Sequence, residues 1–413
     1  MRARSSVFRH PDFRLLAAGQ TLSWLGDGFQ PVALAVAVVT QGGSAGDLGI
    51  PLAATMAGRV IFTLLGGVFG DRLQPVRVMA AADVVRAVLA AVVAVLFASG
   101  SWNPWSLAAL MFASGAAAAF FHPSFATLKP RVVPDGEQQA ANAMLGMIET
   151  GARVGGPALA GVVVAVAGAP AGFTINALTY LWSVGCVLRI RTRPARAVPG
   201  GLASDLRDGL GAVLRRPWLA AGIASAGLYH VGNGVLLVLL PVIAVQQLGG
   251  ATAVGATQAA MGAGAFLGGL LVHRVRPRRP IVVGWLVLVL TGLSFLTLAR
   301  PESLAVVAGC IGIGAGALMF FGVIWETAMQ REVPPEQLGR VSAWDQVTSF
   351  ALFPLGNLLA GPLTTAYGVG PVVVACVGIL VLSALLPLLV RDTWRVGAEP
   401  RSAETPAPLG MVT

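Results

Sequence analysis

LGGVFGDRLQPVR, residues 65–77, returns 202 positions later as LGGLLVHRVRPRR, residues 267–279, with six of the thirteen residues unchanged. Each copy joins an apolar run and paired glycines to a proline and arginines. That is the grammar of a helix that ends, reverses at a basic turn and starts again. Further echoes keep nearly the same offset: Phe120 and Phe121 match Phe320 and Phe321, Pro134 matches Pro334, and GPALAG at 156–161 matches GNLLAG at 356–361. The chain is therefore read as two halves of one design, and Asp71 against His273 marks a place where the copies part.

Composition names the solvent. Of 413 residues 56% are hydrophobic and only 11% charged, with a mean hydropathy of +0.77. An ordinary soluble domain is about a quarter charged, so lipid must solvate much of this surface. A net charge of +10 would suit nucleic acid if the arginines formed one patch, but they sit in short clusters between apolar runs, and no nucleic-acid partner is expected. Cys186, Cys310 and Cys376 lie inside apolar runs without CxxC spacing, which reads as small apolar residues, with neither disulfide nor metal. The motifs GxxxxGK[ST] and HExxH are missing. No enzyme chemistry and no cofactor are expected, and an ion gradient is left as the energy source. After the basic start MRARSSVFRHPDFR no small-residue cleavage site follows, so the first apolar run is expected to remain.

A spanning helix needs about 20 mostly apolar residues. On that rule twelve spans are predicted, at 14–40, 48–70, 77–98, 104–127, 138–167, 170–190, 218–246, 252–273, 279–299, 302–328, 340–367 and 370–390. Runs this long and evenly apolar suit helices, and the alternating strands of a barrel do not fit them. Arginines mark alternate loops: the N-terminus, Arg72 and Arg77, Lys129 and Arg131, the 191–217 linker, 274–279, Arg331 and Arg340, and the tail. Among the opposite loops only Arg300 breaks the pattern. By the positive-inside rule both termini and the linker face the cytoplasm of a cell inner membrane. The domains read as a bundle over 1–190, a linker over 191–217, a second bundle over 218–390 and a tail over 391–413 expected to be disordered. In the linker Leu202, Leu206, Leu210, Val213 and Leu214 recur at helical spacing behind Ser204, predicting an amphipathic helix on the inner leaflet. Two parallel six-helix halves with a site between them is a secondary transporter's layout.

Several stretches resemble a known family. Gly67, Asp71, Arg72 and Arg77 resemble the GxxxDR...R loop between spans 2 and 3 of the major facilitator superfamily. Ala152-x3-Gly156-Pro157-x2-Ala160-Gly161 is similar to its GxxxGPxxGG antiporter signature, with alanine at two glycine places. FRHPDFRLL (8–16), AADVVRA (81–87), INALTYLWS (175–183), DLRDGLGAVLRRPWL (205–219) and VPPEQLGRVSA (333–343) resemble its enterobactin and macrolide exporter branch. The resemblance implies an all-α membrane protein of twelve transmembrane helices in two pseudo-symmetric six-helix bundles, with span 1 lining a central cavity. It also implies that Asp71 sits against the start of span 11 and latches the cytoplasmic gate. One departure stands out: LAALMFASGAAAAFF in span 4 lacks the arginine of the RxxQGxxG pattern.

Ionisable groups inside a span are costly and mark function by default. At about 1.5 Å per residue, Asp27, Arg59, Glu149, Arg153 and His230 fall near mid-bilayer. Asp27, between Gly26 and Gly28, has two readings: a proton carrier whose state substrate binding switches, or a static pair with Arg59. Glu149 and Arg153 stand i, i+4 and share a helix face; they form either a locked pair or one that substrate opens. His230, near Asn233, is either a neutral hydrogen-bonded cavity residue or a proton relay. Asp83 and Arg86 are placed at the cytoplasmic end of span 3, in one gating network with Asp71, Arg72 and Arg77. Glu326 and Asp345 read as solvated charge. Trp24, Phe29, Phe62, Phe112, Phe120, Tyr229, Phe266, Phe321 and Trp325 fall in spans that line the family's cavity, and together they favour a large amphiphile.

The expected function is a monomeric exporter that moves a hydrophobic or amphiphilic metabolite or drug outward in exchange for protons. Uptake of a nutrient or lysolipid is the second reading. A membrane receptor or scaffold that has lost transport is the third.

Overall fold

The computed structural model describes residues 7–72, 74–191, 209–275 and 277–396; for 64–72, 135, 273, 335, 336 and 343 only the backbone is described. Ten helical stretches among them are long and apolar enough to cross a membrane. One of these, Gln138–Val187, is 50 residues long and broken at Gly168, so it supplies spans 5 and 6. Ala45–Arg72 adds span 2 as a 28-residue helix in spite of Asp47, Arg59, Asp71 and Arg72. The twelve crossings are thereby accounted for.

Their limits follow local chemistry. Proline opens spans 3, 4, 7 and 9 at Pro75, Pro104, Pro217 and Pro280, where its missing N–H removes no helix bond. Asn103 accepts from the Trp105 and Ser106 amides and completes a capping box with Ser106. Span 1 comprises Pro11–Asp27 and Phe29–Thr40. Span 8 is Ala251–Arg274, span 10 Leu304–Glu332, and span 12 Val369–Leu385. Span 11 comprises Pro335–Ala351 and Phe353–Tyr367, so it starts five residues before its predicted limit of 340. Pro335 can begin a helix, and the hydropathy pattern alone does not register the polar turn that follows it.

The internal repeat survives in the backbone. Gly168 between spans 5 and 6 has φ 80 and ψ 167, and Gly368 between spans 11 and 12 has φ 79 and ψ 165. That region of conformational space belongs to glycine.

Close glycine approaches set the packing of the halves. A Cβ on Gly161 would meet Gly255 of span 8, and one on Gly361 would meet Gly46 of span 2. The outer half of span 1, with residues 32–38 all buried, shares one core with Val235–Ala244 of span 7. At the arginine-rich end the first half instead has a core of its own, built on Phe13, Leu16, Met79, Phe121, Leu145 and Val187. Among the described residues the halves thus share a core at the arginine-poor end, and the first half keeps a separate core at the other.

The linker is described only at its end. Leu202 and Leu206, like the rest of 192–208, lie outside the described residues, as does the tail from 397. Residues 209–214 are helical, yet Val213 is buried in the common core and Gly209 abuts Trp344 and Arg340 of span 11. Arg216 donates to Gln337 at 3.2 Å. Gly209 and Arg216 thus set this end of the linker against span 11, while Leu210 and Leu214 remain exposed.

Candidate functional site

Span 1 enters the middle of the first half through small residues. Gly26 lies against Asn176 and Thr179 of span 6, and Gly28 against Gly156 and Pro157 of span 5. A Cβ at either place would collide with those neighbours, so the glycines serve close approach. Between them stands Asp27. Its Oδ1 accepts from the Tyr180 hydroxyl at 2.5 Å and lies 3.7 Å from Nη1 of Arg86. Arg86 also donates through Nη2 to Asp83, one turn back on span 3. The guanidinium is sandwiched between the Phe121 ring at 4.6 Å and the Tyr180 ring at 4.3 Å.

One cation is therefore shared by two carboxylates. Their surroundings differ: Asp83 is fully buried, whereas the Asp27 side chain is 41% exposed. Burying an ion is tolerable only when it is paired, and Arg86 pairs closely with Asp83. Asp27, at the looser distance, keeps a side chain that is partly exposed.

Two expectations need correction here. Asp27 does not pair with Arg59; among the described residues Arg59 forms no ion pair. It lines a small cavity of about 150 Å³ with Met56, Val60 and Thr63 of span 2 and Gln346, Val347 and Phe350 of span 11. Nor do Asp83 and Arg86 sit at the cytoplasmic end. Arg86 is eleven residues beyond Pro75, roughly 16 Å up the helix, which carries it to Asp27 and Tyr180. Gly67, Asp71 and Arg72 lie in the stretch whose side chains are outside the described residues, as does His273, so the latch on span 11 stays an expectation. Arg77 stands exposed at the start of span 3.

Glu149 and Arg153 form the intrahelical pair, with Nη2 to Oε1 at 2.8 Å, and both are exposed. Arg59, Arg86 and Arg153 all act electrostatically on His122 of span 4, and Arg153, Asp27 and Arg86 on Arg59. These charged groups converge on one region inside the bundle. In the second half the Nδ1 of His230 lies 2.7 Å from the Ala226 carbonyl, and its ring packs on Phe350 at 4.5 Å. Asn233 is buried beside Gly234, which meets the Phe353 carbonyl and Asn357 of span 11. Asp345 accepts from the Trp325 indole at 3.2 Å and is partly buried, so it is tied to protein where open solvation was expected. Gly156, Pro157 and Gly161 form the seam of span 5, touching span 1 on one side and span 8 on the other.

The aromatics divide by role. Trp218, Trp285, Phe321 and Trp325 form a cluster inside the second half. Phe62, Phe112 and Phe120 line a groove within the first half, away from the charged region.

Tyr180 and His122 escaped the sequence reading. Both were visible by the rule that singled out Asp27, since each is a polar or ionisable group in an apolar run. Tyr180 is one of only three tyrosines in the chain, but nothing local tells that its hydroxyl meets span 1.

The family model described as the Major Facilitator Superfamily matches residues 16–356. An uncharacterized MFS-type transporter of Sinorhizobium fredii is 31% identical over 58% of this chain, and the match spans 60% of that relative's length. The multidrug efflux pump Tap of Mycobacterium tuberculosis is 28% identical over 87% of this chain and 88% of its own. Among solved structures, a bacterial homologue of the human lysosomal transporter Spinster, inward-facing and unoccupied, superposes with a TM-score of 0.76 at 15% identity, covering 97% of this chain and 99% of that one.

Proposed function

The chain belongs to the Major Facilitator Superfamily, and on that premise we propose that it exports hydrophobic or amphiphilic small molecules in exchange for protons by alternating access. The likeness to a relative named as a multidrug efflux pump supports the substrate class. The arginine-rich end faces the cytoplasm in this reading. Among the described residues the first half has a separate core at that end, which supports an inward-facing conformation.

One observation carries the proton assignment: Arg86 is shared by Asp83 and Asp27, and of the two carboxylates only Asp27 is exposed. With both carboxylates ionised the trio carries one net negative charge. Protonating Asp27 leaves a neutral Asp83–Arg86 pair behind, which is the cheaper state when the site is cut off from water. Substrate that enters the central space displaces water around Asp27 and so couples its own binding to the proton. Arg59 and the Glu149–Arg153 pair supply polar contacts for the substrate's head, while protein of both halves closes around its apolar part.

The seam supports the motion. Gly46 against Gly361 and Gly161 against Gly255 meet backbone to backbone, so the halves separate there without withdrawing interlocked side chains. Rocking about such a contact exposes the site to one side at a time.

The test is efflux of a lipophilic fluorescent dye in proteoliposomes. Asp27→Asn is expected to retain dye exchange down its own gradient and to lose accumulation driven by a pH gradient. Unchanged pH-driven accumulation would remove Asp27 from the mechanism.

A further inference from the structure

A groove of about 920 Å³ runs along the second half, between spans 8 and 9 and over span 10. Spans 8 and 9 each pack on span 10 and hardly on one another. The cause lies in small residues: Gly264 and Gly268 bring span 8 against the backbone of Gly312 and Gly316. Span 9 meets span 10 elsewhere on its surface, with Thr291 and Ser294 against Gly314, and leaves a trough beside span 8. A matching groove of about 850 Å³ occupies the first half, with Phe120 in the place that Phe320 takes in the second. Among the described residues each groove is lined from its own half alone.

The lining is apolar along its length. Leu267, Leu271, Leu290 and Ile313 border the second groove and are exposed. From Ala260 to Arg274 it extends roughly 21 Å along span 8, more than one leaflet's share of a hydrocarbon core about 30 Å thick. Among the described residues Arg274 is the single charged residue that lines it. It stands at the basic end, exposed, with no ion pair among the described residues. The sequence around it, RVRPRR, concentrates positive charge where the apolar lining stops.

We propose that the groove between spans 8 and 9 is a binding site for one anionic phospholipid, with its acyl chain over span 10 and its phosphate on Arg274. An apolar trough that opens within the bilayer is filled by a chain of matching length. A basic group at its end selects the headgroup, as basic pockets between membrane helices do. The first groove ends on Gln74 and Arg77 without the further arginines that follow Arg274. The second is accordingly the more selective.

Native mass spectrometry of the purified full-length protein tests the assignment, with phosphatidylglycerol and phosphatidylcholine of equal chain length as probes. Phosphatidylglycerol should be held in preference, and Arg274→Gln should weaken its tightest binding about fivefold while leaving phosphatidylcholine unchanged. Gly309→Leu tests the chain site by itself, since a Cβ there meets nothing within 4 Å and the larger side chain enters the groove. It should weaken both lipids. Equal retention of the two lipids by the natural protein, or undiminished phosphatidylglycerol binding by Arg274→Gln, overturns the proposal. Protein-dependent movement of fluorescent phosphatidylglycerol across proteoliposomes also overturns it, because the lipid would then be cargo.

Discussion

Arg86 lies 4.6 Å from the centre of the Phe121 ring in the first half, and Trp285 lies 4.4 Å from the centre of the Phe321 ring in the second. The two contacts occupy corresponding places about 200 residues apart, each joining the third span of its half to the fourth. In the first half the partner of the ring is a cation that holds two carboxylates and a tyrosine. In the second it is an indole, embedded with Trp218 and Trp325. One scaffold has been filled in two ways. The first half fills that place with charge, and the second fills it with aromatic packing.

Paired substitutions break or sharpen this contrast. Arg86→Ala strands a fully buried Asp83 and should cost about 3–5 kcal/mol, seen as a large drop in the thermal unfolding temperature in detergent. Trp285→Ala should cost about 3 kcal/mol through the cavity it leaves, while the protein that stays folded keeps its pH-dependent transport. Loss of pH dependence in Trp285→Ala would mean that the halves do not divide the work.

A smaller effect is expected from Tyr180→Phe, which keeps the ring over Arg86 and removes the hydroxyl on Asp27. It should cost about 1–2 kcal/mol; an unfolding temperature equal to that of the natural protein would deny the bond an energetic role. Smallest of all, Arg153→Ala opens an exposed i, i+4 pair and should change stability by no more than about 0.5 kcal/mol. If dye affinity nonetheless falls, Arg153 meets substrate.

Much of the fold was legible, and the reason is locality. Twenty apolar residues in a row report a crossing wherever they occur, and Pro75, Pro104, Pro217 and Pro280 announce helix starts from their own chemistry. The echo of GPALAG in GNLLAG reappears as matching seams, Gly156 on span 1 and Gly356 on span 7, Gly161 on span 8 and Gly361 on span 2. The site was legible only as a set of candidates. Depth along a helix picked Asp27 and Arg59 because both fall near the middle of their spans. It did not report that Arg59 turns toward span 11 while Arg86 turns toward span 1.

What the sequence by itself determined is the solvent of the chain, its helices, its repeat and the charges that must be compensated, since each follows from residue type and spacing along one strand of backbone. The tertiary structure decided which charges compensate one another. Partnership depends on the rotation and crossing of whole helices, and those are set by the sum of contacts along every seam, glycine against glycine. Asp27 therefore meets an arginine 59 positions away in the chain, for reasons that no residue near either of them carries.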